Sequence, residues 1–329
     1  MTLTWRFHRT GGPDALLLDD LDPVAPGPGE VRLKIHAVGL NRAEAMYRAG
    51  RYPVEPNLPS VIGYEGVGTV IATGAEAGGW EIGQKACVLP MINQGDFGIW
   101  AQEANVPARI LQPVPPGLSD SKGAALWMPY MTAFAIDEVA DVGPGDAVII
   151  PAASSSVGLA AIQLANWAGA ISIACTRTSD KAQALRDLGA RHVIATQEED
   201  LVERVMEITR GKGARCAFDP VGGPYVDTLA RALAERGILF IYGGLSGEPT
   251  PYPHWPMAFK GCSMRGWVAS EIWNYPHRFD RARETILAGL SSGHLDPVIA
   301  RTFKGLESIP EANSYLESNQ QIGKVVVEF

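Results

Sequence analysis

The segment from Asp146 to Lys181 reads DAVIIPAASSSVGLAAIQLANWAGAISIACTRTSDK, and no other stretch constrains the fold as tightly. An apolar run, a turn of small residues, an amphipathic helical pattern and a second apolar run follow one another within the length of one βαβ unit. Such a unit commits its surroundings to a parallel sheet covered by helices. Between residues 122 and 266 the rhythm continues: AVIIPA, ISIACT, RHVIAT, RCAFDP and GILFIYGG read as strands. LAAIQLANWAG, KAQALRDLG, DLVERVMEITRG and VDTLARALAERG read as the helices between them. The expected class is therefore α/β, with a doubly wound parallel sheet of the Rossmann type.

The turn also bears on ligand binding. In a dinucleotide fingerprint G-x-G-x-x-G, the glycines serve the tight bend, the approach of backbone to pyrophosphate, and helix–strand packing. Those positions here are Ala153, Ser155 and Gly158, so only the third is glycine, a pattern that a plain αβ crossover also allows. The context adds small residues from Ala152 to Ser156 and a helix N-terminus, where backbone N–H groups and the macrodipole favour an anion. Ser154, Ser155, Ser156, Val157 and Gly158 are the candidate pyrophosphate contacts. An acid about 20 residues beyond such a turn bonds a free ribose 2′-hydroxyl. The second run instead ends in Thr176, Arg177, Thr178, Ser179, Asp180 and Lys181. With Arg177 and Lys181 as cations and Thr176 and Thr178 as hydroxyl donors, this end favours a 2′-phosphate, hence NADPH/NADP+. A solvated helix start capped by Ser179 or Asp180 is compatible with the same residues.

At 329 residues the chain exceeds what one core usually supports, so two domains are expected. Residues 1–121 carry short β-like runs (VRLKIHAVGL, GVGTVIATG, QKACVLP) separated by Pro and Gly, the texture of a β-rich domain. Residues 122–266 form the nucleotide-binding domain. Residues 267–329 follow with a Trp/Pro-rich loop, the helix PHRFDRARETILAGLSSG and a strand IGKVVVEF that returns to the first domain.

With 36 acidic and 28 basic residues the net charge is −8, and no basic run is present to hold nucleic acid or an anionic membrane. The stretch Gly123 to Ile136 is too short for a bilayer and contains Pro129, and MTLTWRFHRTGG lacks a signal peptide's apolar core. A cytoplasmic protein with small-molecule partners is expected. Cys87, Cys175, Cys216 and Cys262 are scattered without a Cys-x-x-Cys pair, and the six histidines show no His-x-x-x-His spacing, so no zinc site is expected.

Several ordered motifs together resemble the zinc-lacking quinone oxidoreductase branch of the medium-chain dehydrogenase/reductase superfamily. They are GPGEVRLKIHAVGLNRAEAMYRAGRYP, LPSVIGYEGVGTVIATG, the MTA of WMPYMTA, AASSSVGLAAIQLA, DPVGG, IYGG and IGKVVVEF. The resemblance implies a GroES-like catalytic domain, a Rossmann domain, an active-site cleft between them and a homodimer, with residues 262–273 as a plausible edge for the dimer. Where zinc-dependent relatives carry Cys, His and Cys ligands, this chain has Asn41, Tyr64 and Met128, a poor set for zinc. Hydride then has to go to an acceptor activated by its own conjugation, a quinone or an α,β-unsaturated carbonyl.

For the catalytic group the resemblance points to Asn41, Tyr47, Tyr52 and Tyr64 around the acceptor's oxygen. Tyr64 comes first because it occupies a former ligand position. Asn41 is equally a contact to the nicotinamide ribose, and Tyr47 and Tyr52 are equally half-buried packing aromatics. Thr132, Val221, Gly222, Tyr242, Gly243, Trp267, Val268 and Lys324 are the further cofactor contacts it implies. The chain departs from the branch at Glu44, where Asp is common, and in residues 247–259, rich in Pro and aromatics. Trp100, Trp127, Trp255, Trp267 and Trp273 are expected to line a wide apolar cleft. Two other functions stay open: an enoyl-type or carbonyl reductase with a dedicated metabolite, and a non-catalytic nucleotide-binding or scaffold protein.

Overall fold

In a computed structural model that describes residues 1–329, the chain folds into two units, residues 1–128 with 297–329, and residues 129–296. The divisions fall at 128/129 and 296/297, where the sequence suggested 121/122 and 266/267. Part of the reason is the helix Pro276–Ser292, which docks within the second unit. Its Arg278 Nε donates to Glu138 Oε1 at 2.7 Å, and its Gly289 lies so close to Trp167 that a Cβ there would approach the indole to 3.0 Å.

The second unit is built on a six-stranded parallel sheet in the order His192–Ala195, Ile171–Thr176, Ala147–Ile150, Ala214–Asp219, Leu233–Ile241, Ser263–Gly266. Ala147–Ile150 is buried along its whole length because helices cover both faces of a parallel sheet. The order reverses direction beside this strand, so its C-terminal end opens on the switch point where doubly wound sheets bind ligands. The helical pattern expected through Gly237 stops at Ala232. Leu233 pairs with Ala214, the chain bulges with Arg236 at φ +59°, and pairing resumes at Ile238 with Cys216. Burial of Leu233 in the sheet core thus overrides local helix propensity. Within the Pro/aromatic segment, a short helix, His254–Lys260, ends at Gly261 in the left-handed region.

The first unit holds a mainly antiparallel seven-stranded sheet and a three-stranded one. In the larger, Glu30–Gly39 is central, and the closing strand Lys324–Glu328 returns to pair with it antiparallel, Val326 opposite Gly39. Gly39 is required by close approach, since a Cβ there would lie 1.8 Å from the Ala124 carbonyl oxygen. The tryptophan expectation is corrected by burial. Trp100 and Trp127 are core residues of the first unit and Trp267 of the second, so packing takes up these three, while Trp255 is 66% exposed. Cys87, Cys175 and Cys216 are buried on strands. No helix is long and apolar enough to cross a membrane.

Candidate active site and cofactor turn

The turn after Ala147–Ile150 is shaped by backbone geometry. Ala152 adopts φ +48°, Ala153 N donates to the Cys175 carbonyl at 3.1 Å, and Ser155 N-caps the helix Ser156–Trp167 by accepting from Gly158 N at 3.0 Å. A Cβ at Gly158 would stand 2.7 Å from the Ala153 backbone, so the one glycine of the fingerprint is retained where helix and strand touch. Ser154, Ser156 and Val157 stay partly accessible around the helix N-terminus.

The basic end of the next strand comes to this turn. Lys181 Nζ donates to Ser154 Oγ at 3.2 Å. Partial burial and then the neighbouring Arg177 charge lower the Lys181 pKa from its usual value. Thr178 Oγ1 donates to Asp180 Oδ2 at 2.9 Å, Thr176 accepts Thr196 N through its carbonyl, and Arg177 is exposed. Residues 179–181 form a 3₁₀ turn that passes into the helix Ala182–Asp187, so neither Ser179 nor Asp180 is an α-helix N-cap. Glu198, which the sequence reading missed, accepts from Ser179 N at 2.9 Å and so brings an acid to this end. The small turn, the helix N-terminus and the paired cations fit a dinucleotide with a phosphorylated ribose.

At the C-terminal ends of the neighbouring strands, Asp219 accepts from Val221 N at 2.8 Å and Gly222 N at 2.9 Å. Burial pushes its carboxyl up to about 6 despite those two donors. Gly222 has φ +64°, and a Cβ at Gly243 would meet the Pro220 carbonyl oxygen at 2.6 Å, so both glycines are demanded by the knitting of the two loops. Tyr242 stacks on Phe218 at 4.1 Å with its hydroxyl buried and unpartnered. Trp267 is taken up by packing, its indole N–H donating to the Thr132 carbonyl at 2.8 Å, whereas Val268 is exposed.

In the first unit, two buried carboxylates organise the positions singled out by the sequence. Asn41 precedes the helix Arg42–Arg48, and Glu44, in its first turn, reaches back to accept from Asn41 N at 2.6 Å and from Tyr64 N at 3.2 Å. Burial pushes the Glu44 carboxyl up to about 8, against the pull of those amides and of Lys324. Glu65 accepts from Met128 N at 2.7 Å and, on its other oxygen, from Asn41 Nδ2 and the Lys324 ammonium. Lys324 also donates to Asn41 Oδ1 at 2.6 Å. Asn41, Tyr64 and Met128 are therefore brought together through Glu44 and Glu65.

An amide held between Glu65 and Lys324, a phenol and a thioether do not fit zinc, and no group of three His, Cys, Asp or Glu side chains is arranged to hold a metal. Lys324, expected at the cofactor, is buried in this network with its ammonium on Glu65 and Asn41. Tyr47 is a core residue, its ring edge-on to Phe7 and its hydroxyl 2.8 Å from Ser60 Oγ. Tyr52 is half-buried, which raises its pKa. Tyr64 is buried and its pKa is raised well above the usual value, chiefly by burial and then by Glu44, so the phenol keeps its proton. The N-x-x-E spacing of Asn41 and Glu44 was the available signal for the capping carboxylate. Nothing local announced the partnership of Glu65 with Lys324, 259 residues away.

Comparison with known proteins is consistent across both units. The family described as an alcohol dehydrogenase GroES-like domain matches residues 27–116, and that described as a zinc-binding dehydrogenase matches residues 156–287. A 2-haloacrylate reductase from a Burkholderia species is 30% identical over 341 residues, covering 99% of each chain. A quinone oxidoreductase from Salmonella typhimurium is 32% identical over 325 residues, covering 96% of each. Among solved structures, an Escherichia coli quinone oxidoreductase complexed with NADPH superposes with a TM-score of 0.90 at 27% identity, covering 100% of both chains.

Proposed function

The chain belongs to the quinone oxidoreductase branch of the medium-chain dehydrogenase/reductase superfamily, and from that membership we propose an NADPH-dependent, zinc-independent transfer of hydride to a quinone or α,β-unsaturated carbonyl. The observation that carries the cofactor half is the meeting of Lys181 with Ser154 beside the helix N-terminus. NADPH, when bound, supplies the hydride. The protein's part is to hold the pyrophosphate at residues 154–158, to neutralise the 2′-phosphate with Arg177 and Lys181, and to receive the acceptor's oxygen.

Tyr64 suits that last task because a phenol that stays protonated donates a hydrogen bond to oxygen as negative charge develops there. The positions of zinc ligands in related dehydrogenases carry Asn41, Tyr64 and Met128, so activation has to come from conjugation within the acceptor. A conjugated acid is a second acceptor class, favoured by the similarity to a 2-haloacrylate reductase over 99% of the chain. A homodimer through the open edge strand Ser263–Gly266 completes the reading.

NADPH oxidation by the purified protein, measured against quinones, enals, enoyl thioesters, conjugated acids and simple ketones, tests this reading. Turnover with quinones or enals, lowered in Tyr64→Phe, is expected. NADPH binding without turnover on any acceptor would favour a nucleotide-binding scaffold, and stoichiometric zinc in the active protein would overturn the metal-free assignment.

A further inference from the structure

We propose that Gln94 is a substrate-binding residue whose side-chain amide, together with the Tyr64 hydroxyl, forms a two-donor cradle for the carbonyl oxygen of the acceptor. The inference rests on the oxidoreductase reading above and deepens it. Gln94 lies in residues 91–98, between the strands Lys85–Val88 and Glu103–Pro107. It is 5% exposed, yet both Nε2 and Oε1 are buried with no hydrogen-bond partner. Protein interiors rarely leave a primary amide in that condition, since each unmade bond opposes folding.

The loop is built to keep the amide there. Gly95 adopts φ +86° and passes directly over the Tyr47–Ser60 pair, where a Cβ would come within 2.2 Å of the Tyr47 hydroxyl oxygen. The turn is tied by Asn93, whose Nδ2 donates to Asp96 Oδ2 at 3.1 Å. Tyr47 thereby supports the loop from the core, and Gln94 is directed inward beside Tyr64. The Tyr64 hydroxyl meets the amide without closing a well-formed hydrogen bond.

The two carboxylates that act on Tyr64 are engaged elsewhere. Both oxygens of Glu44 are taken by the amides of Asn41 and Tyr64, and those of Glu65 by Met128, Asn41 and Lys324. The unmet donor of the Gln94 amide is Nε2, which calls for an acceptor oxygen. A carbonyl oxygen placed there receives one N–H from Gln94 and one O–H from Tyr64, and both bonds strengthen as hydride addition moves charge onto it. The cradle therefore suits carbonyl acceptors as a class and gives Gln94 a role separable from cofactor binding.

Gln94→Leu and Gln94→Met keep the volume and remove the donors. In steady-state assays with menadione and cinnamaldehyde, both variants are expected to raise the acceptor KM about tenfold while the NADPH KM stays unchanged. Their melting temperatures should rise, because an unsatisfied buried amide has been removed. Binding of benzylacetone, a ketone that lacks the conjugated double bond, is followed by calorimetry and should weaken by about the same factor. Wild-type turnover tests the oxidoreductase reading separately: if the wild type reduces neither acceptor, that reading fails and the benzylacetone measurement still decides the cradle. An unchanged acceptor KM, equal benzylacetone affinity in wild type and variants, no benzylacetone binding by the wild type, or a lowered melting temperature in both variants would each overturn the assignment.

Discussion

Lys181 and Ser154 are 27 residues apart in the chain and 3.2 Å apart between ammonium nitrogen and hydroxyl oxygen. The contact joins the end of one sheet strand to the turn that follows its neighbour, so the cation and the helix N-terminus act on the same region. Lys181 is partly buried and shares its surroundings with Arg177, which disfavours its charge in the free protein. A phosphate dianion would reverse that balance.

Lys181→Ala should therefore raise the KM for NADPH by roughly tenfold to a hundredfold, the range for one charge-assisted hydrogen bond, and change the KM for NADH little. Steady-state kinetics with both coenzymes checks this, and equal effects on the two would remove the 2′-phosphate assignment.

Gly158→Ala probes the packing of the turn. The added methyl would stand 2.7 Å from the backbone of Ala153, which cannot move without shifting the sheet strand before it. A loss of about 1–3 kcal/mol is expected in chemical denaturation. Undiminished stability would mean that the helix and strand are not in the close contact described.

Removing one partner of the Lys324–Glu65 pair should be costly, since both side chains are buried. Glu65→Gln leaves an ammonium without its counter-charge, for which about 3–5 kcal/mol of destabilisation is expected. The double variant Glu65→Gln/Lys324→Met should recover most of that loss. Additive losses in urea titrations of the two single variants and the double variant would show that the charges are not coupled.

Glu44 gives the protein a pH dependence of definite sign. Its carboxyl titrates near 8 in the folded chain against an ordinary value of 4.5, so folding favours the protonated form. The stabilisation is complete below the unfolded value and is lost as pH rises from about 4.5 to about 8, at no more than roughly 1.4 kcal/mol per pH unit. Denaturation midpoints should fall across that window in the wild type and flatten in Glu44→Gln. Parallel profiles for the two proteins would locate the titration elsewhere.

Much of the second unit was legible in the chain because its determinants are local. Alternation of apolar strands with helical patterns announced a parallel sheet, and the small residues before Gly158 announced the turn. The errors arose where long-range packing outweighed local preference. The helix begun at Val226 stops at Ala232 because Leu233 is captured by the sheet beside Ala214. Trp100, Trp127 and Trp267 carry the composition of an apolar cleft but are taken up by packing.

What the linear order of residues determined was the fold class and the turn of small residues that leads into a helix, with Arg177 and Lys181 following the next strand. What only the tertiary structure decided was which polar groups consume one another and which are left for a ligand. Lys324 is used up by Glu65 and Asn41, the Tyr47 hydroxyl by Ser60, and Gln94 by nothing. The reason is physical: propensity and periodicity act over a few residues, whereas desolvation and hydrogen-bond pairing depend on neighbours that the chain supplies from hundreds of residues away.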